Sequence, residues 1–264
     1  MRRIGVGYRH ELHDWLIKKP SSVESLEITA EHFFDADNRA AHTLKQLSKS
    51  YPLFVHGLGL SLGTPGPLCA ETLEQFANVA KLADAEWVSE HVSFTRPQSV
   101  DLGHLNPILY SRDSLGVIVD HAIEVSEKCQ RKLVLENITS SVRFESAMKE
   151  TDFLNQLCEK ANCGLLLDVT NLFINAKNHN FDPVDWLGEL NPQNIWQLHV
   201  VGYSKCGSIY QDHHSAPIQN DLLDLIQFVF ESTAVRAVTL ERDERLEQIE
   251  EIELDLERLH NIDV

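Results

Sequence analysis

The chain has no apolar run approaching the ~20 residues that a bilayer-spanning helix needs, and its five cysteines form no C-x-x-C pair. The first absence leaves no candidate transmembrane helix. With the second, the scattered Cys69, Cys129, Cys158, Cys163 and Cys206 read as free thiols of a soluble, cytoplasmic protein. Positive charge is scarce too: 23 Lys and Arg stand against 40 Asp and Glu, a net charge of −17. Nucleic-acid binding draws much of its affinity from Lys and Arg neutralising phosphates, so this balance argues against a nucleic-acid partner. Part of the acidic excess lies in one C-terminal run, "RDERLEQIEEIELDLERL", a solvated helix face. The rest is available to surround a cation. The N-terminal "MRRIGVGYRHELHDW" has two arginines but no continuous apolar stretch, which argues against a secretory signal. A dinucleotide fingerprint is missing as well: "GVG" at 5–7 runs into Tyr8 and Arg9 without completing G-x-G-x-x-G.

What is present is an ordinary globular composition, 43% apolar and 8% aromatic, with a regular alternation. Apolar runs bounded by breakers predict strands at 4–8, 25–31, 53–59, 87–94, 132–138, 164–171, 195–203 and 237–243. Helical spacing fills most intervals, at roughly 37–50, 70–84, 112–130, 145–162, 183–190, 217–232 and 244–260. Asp182 before Pro183 has the form of an N-cap followed by proline at the first helical position. Eight strands alternating with helices, with no linker and no open-sheet fingerprint, predict a single α/β domain over 1–264, a closed (β/α)8 TIM barrel.

Chemistry in such a barrel sits at the C-terminal ends of the strands, and ligand-type residues fall there. The third strand ends with His56 and the fourth carries His91 beside Glu90. The fifth ends at Glu136 and Asn137, and the sixth gives Asp168 and Asn171. The seventh gives His199, with Asp212 and His214 in the "QDHH" loop beyond, and the eighth ends at Glu241, followed by Asp243. Any one of these alone reads as a hydrogen-bonded core residue. Glu136 and Asp168, however, interrupt strongly apolar strands, and an unpaired buried carboxylate costs several kcal/mol. Arg9 and Arg242 are the nearest cations, too few to serve every acid. The recurrence over six consecutive strands favours a polynuclear metal site over independent structural polar residues. Mixed imidazole and carboxylate donors without a thiolate cluster suit Fe, Mn or Zn. Eight or nine donors exceed one ion's coordination sphere, so two or three ions are expected.

Among the other histidines, His10, His13, His32, His42, His121, His179 and His260 read as loop or helix-surface residues, most of them solvated. His104 lies in the long 95–111 loop within possible reach of the site, and Cys206 is a lone thiol after the seventh strand.

The motifs "HGLGLSLG" (56–63), "SEHVSF" (89–94), "LENI" (135–138), "LLLDVTNLFINAKNHN" (165–180), "LHVVGY" (198–203), "DHHSAPI" (212–218) and "LERD" (240–243) resemble those of the multinuclear non-haem iron-dependent oxidative enzymes, a family once catalogued as a domain of unknown function. The resemblance runs from "GVGYR" to "LERD", nearly the whole chain, and rests on the joint order and spacing of the motifs. It implies a xylose-isomerase-like TIM barrel with two or three Fe ions, Zn or Mn being possible substitutes. It implies oxidation of cysteine, or another residue, of a ribosomally made precursor peptide with O₂, in many members alongside a separate leader-binding partner protein. Carried over by motif, the expected metal ligands are His56, His91, Glu136, Asp168, Asn171, His199, Asp212, His214 and Glu241, with Glu136, Asp168 and His199 as the catalytic core. The family's Asp-x-His pattern makes His213 the spacer.

Asn137 and Arg242 are candidates to support the ligands from behind, while "TPGPL" and the 95–111 loop are candidates for a substrate mouth. The chain ends soon after its last helix, so a partner or the loops are expected to recognise a leader. Sugar-isomerase or phosphodiesterase chemistry with other divalent ions, and peptide or partner binding without turnover, are the competing readings.

Overall fold

Short apolar segments separated by amphipathic ones can bury both faces only if helices cover the outside of a sheet, and that requirement sets the layout here. The computed structural model describes residues 2–34, 38–96 and 100–262. In chain order its strands are β1 (Arg3–Gly7), β2 (Ser25–Thr29), β3 (Leu53–His56), β4 (Trp87–His91), β5 (Lys132–Glu136), β6 (Gly164–Asp168), β7 (Ile195–Val200), β8 (Gly202–Cys206), β9 (Ile209–Ala216) and β10 (Ala237–Leu240). Parallel pairing closes a barrel in the order β1-β10-β7-β6-β5-β4-β3-β2, while β8 and β9 form a separate antiparallel hairpin. The helices are α1 (His13–Leu16), α2 (Asn38–Ser48), α3 (Ala70–Leu82), α4 (Arg112–Cys129), α5 (Glu150–Ala161), α6 (Val169–His179), α7 (Pro183–Gly188), α8 (Asn220–Ser232) and α9 (Ile249–His260). This is the expected (β/α)8 TIM barrel. The Asp182 cap also forms, its carboxylate accepting from the backbone N–H groups of Val184 and Asp185 with Pro183 at the head of α7.

Several expectations are corrected. The sixth strand, expected to run to 171, stops at Asp168, and α6 begins at once. Asp168 accepts the Asn171 backbone N–H at 2.6 Å, capping the new helix. Leu-rich apolar sequence does not distinguish a buried strand from a buried helix, so the boundary was concealed. The "QDHH" loop is instead part of strand β9, joined to β8 by a tight turn in which Gly207 takes φ 62°. Both arms are half-exposed and polar, so no alternating apolar pattern marks them.

The helices expected to start at 145, 217 and 244 start at Glu150, Asn220 and Ile249, because the preceding residues belong to connections from the barrel's C-terminal face. Residue 37 of the helix expected over 37–50, and residues 97–99 of the 95–111 loop, lie outside the described residues. The rest of that loop folds back on strand β4's extension through a bridge between Phe94 and Asn106. His121 is not a surface residue: it is buried on α4, its two ring nitrogens 2.8 and 2.7 Å from the carbonyl oxygens of Leu62 and Gly66. It thereby ties the "TPGPL" turn to the barrel wall.

Candidate metal centre

Four neighbouring strands end on ligand-type residues: β3 on His56, β4 on His91, β5 on Glu136 and β6 on Asp168. Parallel register then sets them side by side, with His91 opposite Glu136 and Asp168 opposite His199 on β7. Glu241 follows β10 directly, its backbone N–H bonded to Val200 O at 3.0 Å. The result is two groups of converging donor atoms, His56–His91–Glu136 and Glu136–Asp168–His199–Glu241, the atoms within each lying within 4.8 Å of one another. Glu136 belongs to both.

The distances have a particular form. Glu136 Oε2 lies 3.6 Å from His56 Nε2, 3.4 Å from His91 Nε2 and 3.5 Å from His199 Nδ1, and His199 Nδ1 lies 3.1 Å from Glu241 Oε2. Most are too long for good hydrogen bonds. Two donors each about 2.1 Å from one ion, at octahedral to tetrahedral angles, stand roughly 3.0–3.4 Å apart. Glu136 Oε2, His199 Nδ1 and Asn171 Oδ1 are buried and have no hydrogen-bond partner. Buried polar atoms left unpaired are costly, and bound cations would satisfy these. The donor set therefore fits metal binding.

Among the described residues no Lys or Arg takes that place. Arg9 reaches Asp243 at 2.6 Å, at the rim, and the buried Arg242 turns away toward Glu251 and Asp255 on α9. Arg242 thus anchors a helix and does not support the cluster. Asn137 does: its side chain accepts from Asp168 N and donates to Asp168 O, holding the end of β6.

The hairpin brings a second layer. His214 Nε2 is 2.8 Å from Asp212 Oδ2 and 3.9 Å from Glu241 Oε2, which links the hairpin to the buried cluster. His213 points outward and is exposed, and Cys206 is exposed at the hairpin's far end. A cavity of about 500 Å³ opens on the site, lined by His56, His91, Glu136, Asn171, Asp212, His214 and Glu241, and at its mouth by Leu58, His104 and Leu105. Asp168 and His199, 1% and 0% exposed, sit deeper.

Burial and close charges move several titrations in the cluster. Burial, then Glu136 and Asp212, pushes the Asp168 carboxyl well above the usual range. Burial alone would raise Glu241, but the His199 and His214 imidazoles outweigh it and hold Glu241 well below. Burial would lower His91 and His199. Glu136 and Glu90 outweigh it at His91, which rises to about 9, and Glu241, Glu27 and Glu136 outweigh it at His199. His56 falls well below its usual value, through burial and then the neighbouring His91 and His199.

Two residues escaped the sequence reading. Glu27, buried in the middle of β2, sits 2.7 Å from His199 Nε2. Its signal was there in "SLEITAE", where one carboxylate interrupts a strand as Glu136 does. Ser89, whose hydroxyl is 2.9 Å from His56 Nδ1, gave no such signal.

Comparison with known proteins bears on the whole chain. A UPF0276 protein of Bordetella pertussis is 31% identical over 247 residues, covering 91% of this chain and 86% of that protein. Among solved structures, endonuclease IV from Thermus thermophilus superposes with a TM-score of 0.64 at 14% identity, over 98% of this chain and 99% of that one. The IOLI protein, solved with a bound zinc atom, gives 0.66 at 12%, over 98% and 97%. At such identities the likeness shows the (β/α)8 barrel fold alone. The family described as RiPP precursor modification enzyme MbnB/TglH/ChrH matches residues 3–263. On that match the chain belongs to this family of enzymes, which modify the precursors of ribosomally made peptides.

Proposed function

We propose that this protein is an iron-dependent oxidase or oxygenase that uses O₂ to modify cysteine, or another residue, of a ribosomally made precursor peptide. The observation that supports it most is the shared carboxylate oxygen, Glu136 Oε2, unpaired, buried and faced by three imidazoles. A carboxylate common to two donor groups suits adjacent ions. In this reading His56, His91 and Glu136 hold one ion, and Glu136, Asp168, His199 and Glu241 a second. Asn171, Asp212 and His214 would hold a third. Iron there would supply redox chemistry with O₂ and lower the pKa of a substrate thiol.

The protein's own part is positioning and exclusion of water. Glu136 in the cavity lining, with Asp168 and His199 beneath it, forms the catalytic core, where burial keeps bulk water from the reacting groups. Ser89 and Asn137 hold His56 and Asp168 from behind. The cavity, at about 500 Å³, has room for one side chain and its flanking backbone. Leader recognition falls to a separate partner protein or to the loops around the mouth.

The test is anaerobic purification with metal quantification, then mass spectrometry of a precursor peptide encoded beside the gene, incubated with protein and O₂. Two or three irons per chain, O₂ uptake and a mass change at cysteine are expected. Full activity with zinc or magnesium and no O₂ uptake would sink the proposal.

A further inference from the structure

Behind His199 lies a run of buried polar side chains crossing the barrel interior. Trp87 Nε1 donates to Gln197 Oε1 at 2.6 Å. Gln197 Nε2 donates to Glu27 Oε2, and to Thr239 Oγ1 at 3.1 Å. Glu27 Oε1 meets His199 Nε2 at 2.7 Å. Gln197, His199 and Thr239 are wholly buried and Glu27 is 3% exposed, so no bulk water can substitute for any member.

We infer that Glu27 is a positioning residue that holds His199 with its Nε2 protonated and its Nδ1 lone pair turned into the cluster, and that Trp87 sets the direction of the whole chain. This rests on the metal reading above. An indole N–H can only donate, so the Gln197 oxygen must face Trp87, and both amide hydrogens are left for Glu27 and Thr239. The Gln197 nitrogen also lies 3.5 Å from His199 Nε2, but its two hydrogens are already placed. Glu27 therefore accepts from Gln197 on one oxygen and from His199 on the other. The nitrogen that remains, Nδ1, is the unpaired atom facing Glu136 and Glu241. A ring held in this way by a carboxylate is fixed in both orientation and tautomer.

The polarity can be reversed without changing shape. In Glu27→Gln the new amide oxygen must face the Gln197 N–H, which turns the new amide nitrogen toward His199. Nε2 must then accept, and a hydrogen points from Nδ1 into the cluster. In the swapped double variant, Glu27→Gln with Gln197→Glu, the carboxylate at 197 accepts from Trp87, Thr239 and the amide at 27. The amide oxygen at 27 then faces His199, as the carboxylate does in the parent.

Two readouts follow. The first is the ring ¹⁵N shifts of His199 in metal-free protein, followed upward in pH to where the imidazole is neutral: a protonated Nε2 in the parent and the swap, a bare Nε2 in Glu27→Gln. The second is anaerobic titration with ferrous iron, counting ions per chain. Glu27→Gln is expected to weaken one ion by about 10–100-fold and leave another in place, and the swap is expected to recover it. Equal ¹⁵N shifts in parent and single variant, or a swap that fails to restore them, overturn the inference. If the parent binds no iron, the metal reading falls while the ¹⁵N comparison still decides the polarity. If the single variant does not fold, the swap is read alone: parental shifts and iron binding support the chain, and their loss, or a swap that does not fold, overturns it.

Discussion

Asp212, His213 and His214 are consecutive on β9 and meet three different surroundings. Asp212 and His214 face the cavity and pair with each other at 2.8 Å, whereas His213 is exposed. The second nitrogen of His214 is taken by Asp243 at 2.9 Å, and Asp243 is in turn held by Arg9. His214 also takes φ 50°, a left-handed conformation uncommon for a non-glycine residue and costing about 1–3 kcal/mol. Strain of this kind persists where the surroundings impose it, here two carboxylates and the bond from Asp243 N to His214 O. The expected outcome is that Asp212→Ala loses one ion per chain while the fold stays intact. His213→Ala should keep every ion, because its ring touches no cluster atom. Metal counting with circular dichroism on both variants checks this, and unchanged metal content in Asp212→Ala would contradict the assignment of Asp212.

At the scale of elements, the hairpin carrying Asp212 and His214 is clamped to α6, the helix that Asp168 caps. Phe173 stacks on Tyr203 with ring centroids 5.0 Å apart, and Tyr203 lies 5.2 Å from Tyr210. Asn178 closes a pair of bonds with the backbone of Tyr210, at 3.0 and 2.9 Å. At the hairpin's base Gly202 passes so close to Pro217 O that a Cβ would stand 2.0 Å from it. Asn178→Ala removes two partly exposed hydrogen bonds, a loss of about 1–2 kcal/mol. The Tyr210 amide should then exchange faster with solvent, and the ion held by Asp212 and His214 should weaken by about tenfold, with the inner ions unaffected. Hydrogen exchange with metal counting decides it; unchanged exchange at Tyr210 would mean that the aromatic stack alone fixes the hairpin.

The same element shows what the sequence could and could not convey. Barrel strands were legible because they are short, apolar and bounded by breakers, and the carboxylates of Glu136 and Asp168 stood out because they interrupt such runs. The hairpin was not, since a half-exposed polar ribbon has no apolar period and is held by aromatic contacts to a helix distant in sequence. Where β6 gave way to α6 was hidden for a different reason: both are buried at the junction, and no Gly or Pro stands between them. Glu27 carried the same signal as Glu136 but contributes through His199, a contact that only barrel closure creates.

For the whole molecule, part of the acidic excess is gathered at the cluster, and protons and metal ions compete there to neutralise it. His91, raised to about 9 by Glu136 and Glu90, is protonated in the ion-free fold at neutral pH. A histidine whose folded pKa is raised stabilises fully below its unfolded value, near 6.5, and loses that contribution as pH climbs through about 9. The rise corresponds to something on the order of 3 kcal/mol. His199 is raised by carboxylate neighbours and adds stability lost in the same direction. Glu241 and His56 are depressed instead, so what they contribute is lost only as pH falls below this window. The ion-free protein should therefore become less stable between pH 6.5 and 8.5, with the melting temperature falling by roughly 5–10 °C. Bound ions reverse the trend, because imidazole and carboxylate donors must give up their protons to ligate and affinity rises with pH. Melting curves at pH 6.5, 7.5 and 8.5, recorded anaerobically with and without ferrous iron, should diverge as pH rises. Parallel curves would mean that the buried histidines and carboxylates exchange no protons for metal, and the site would have to be sought elsewhere.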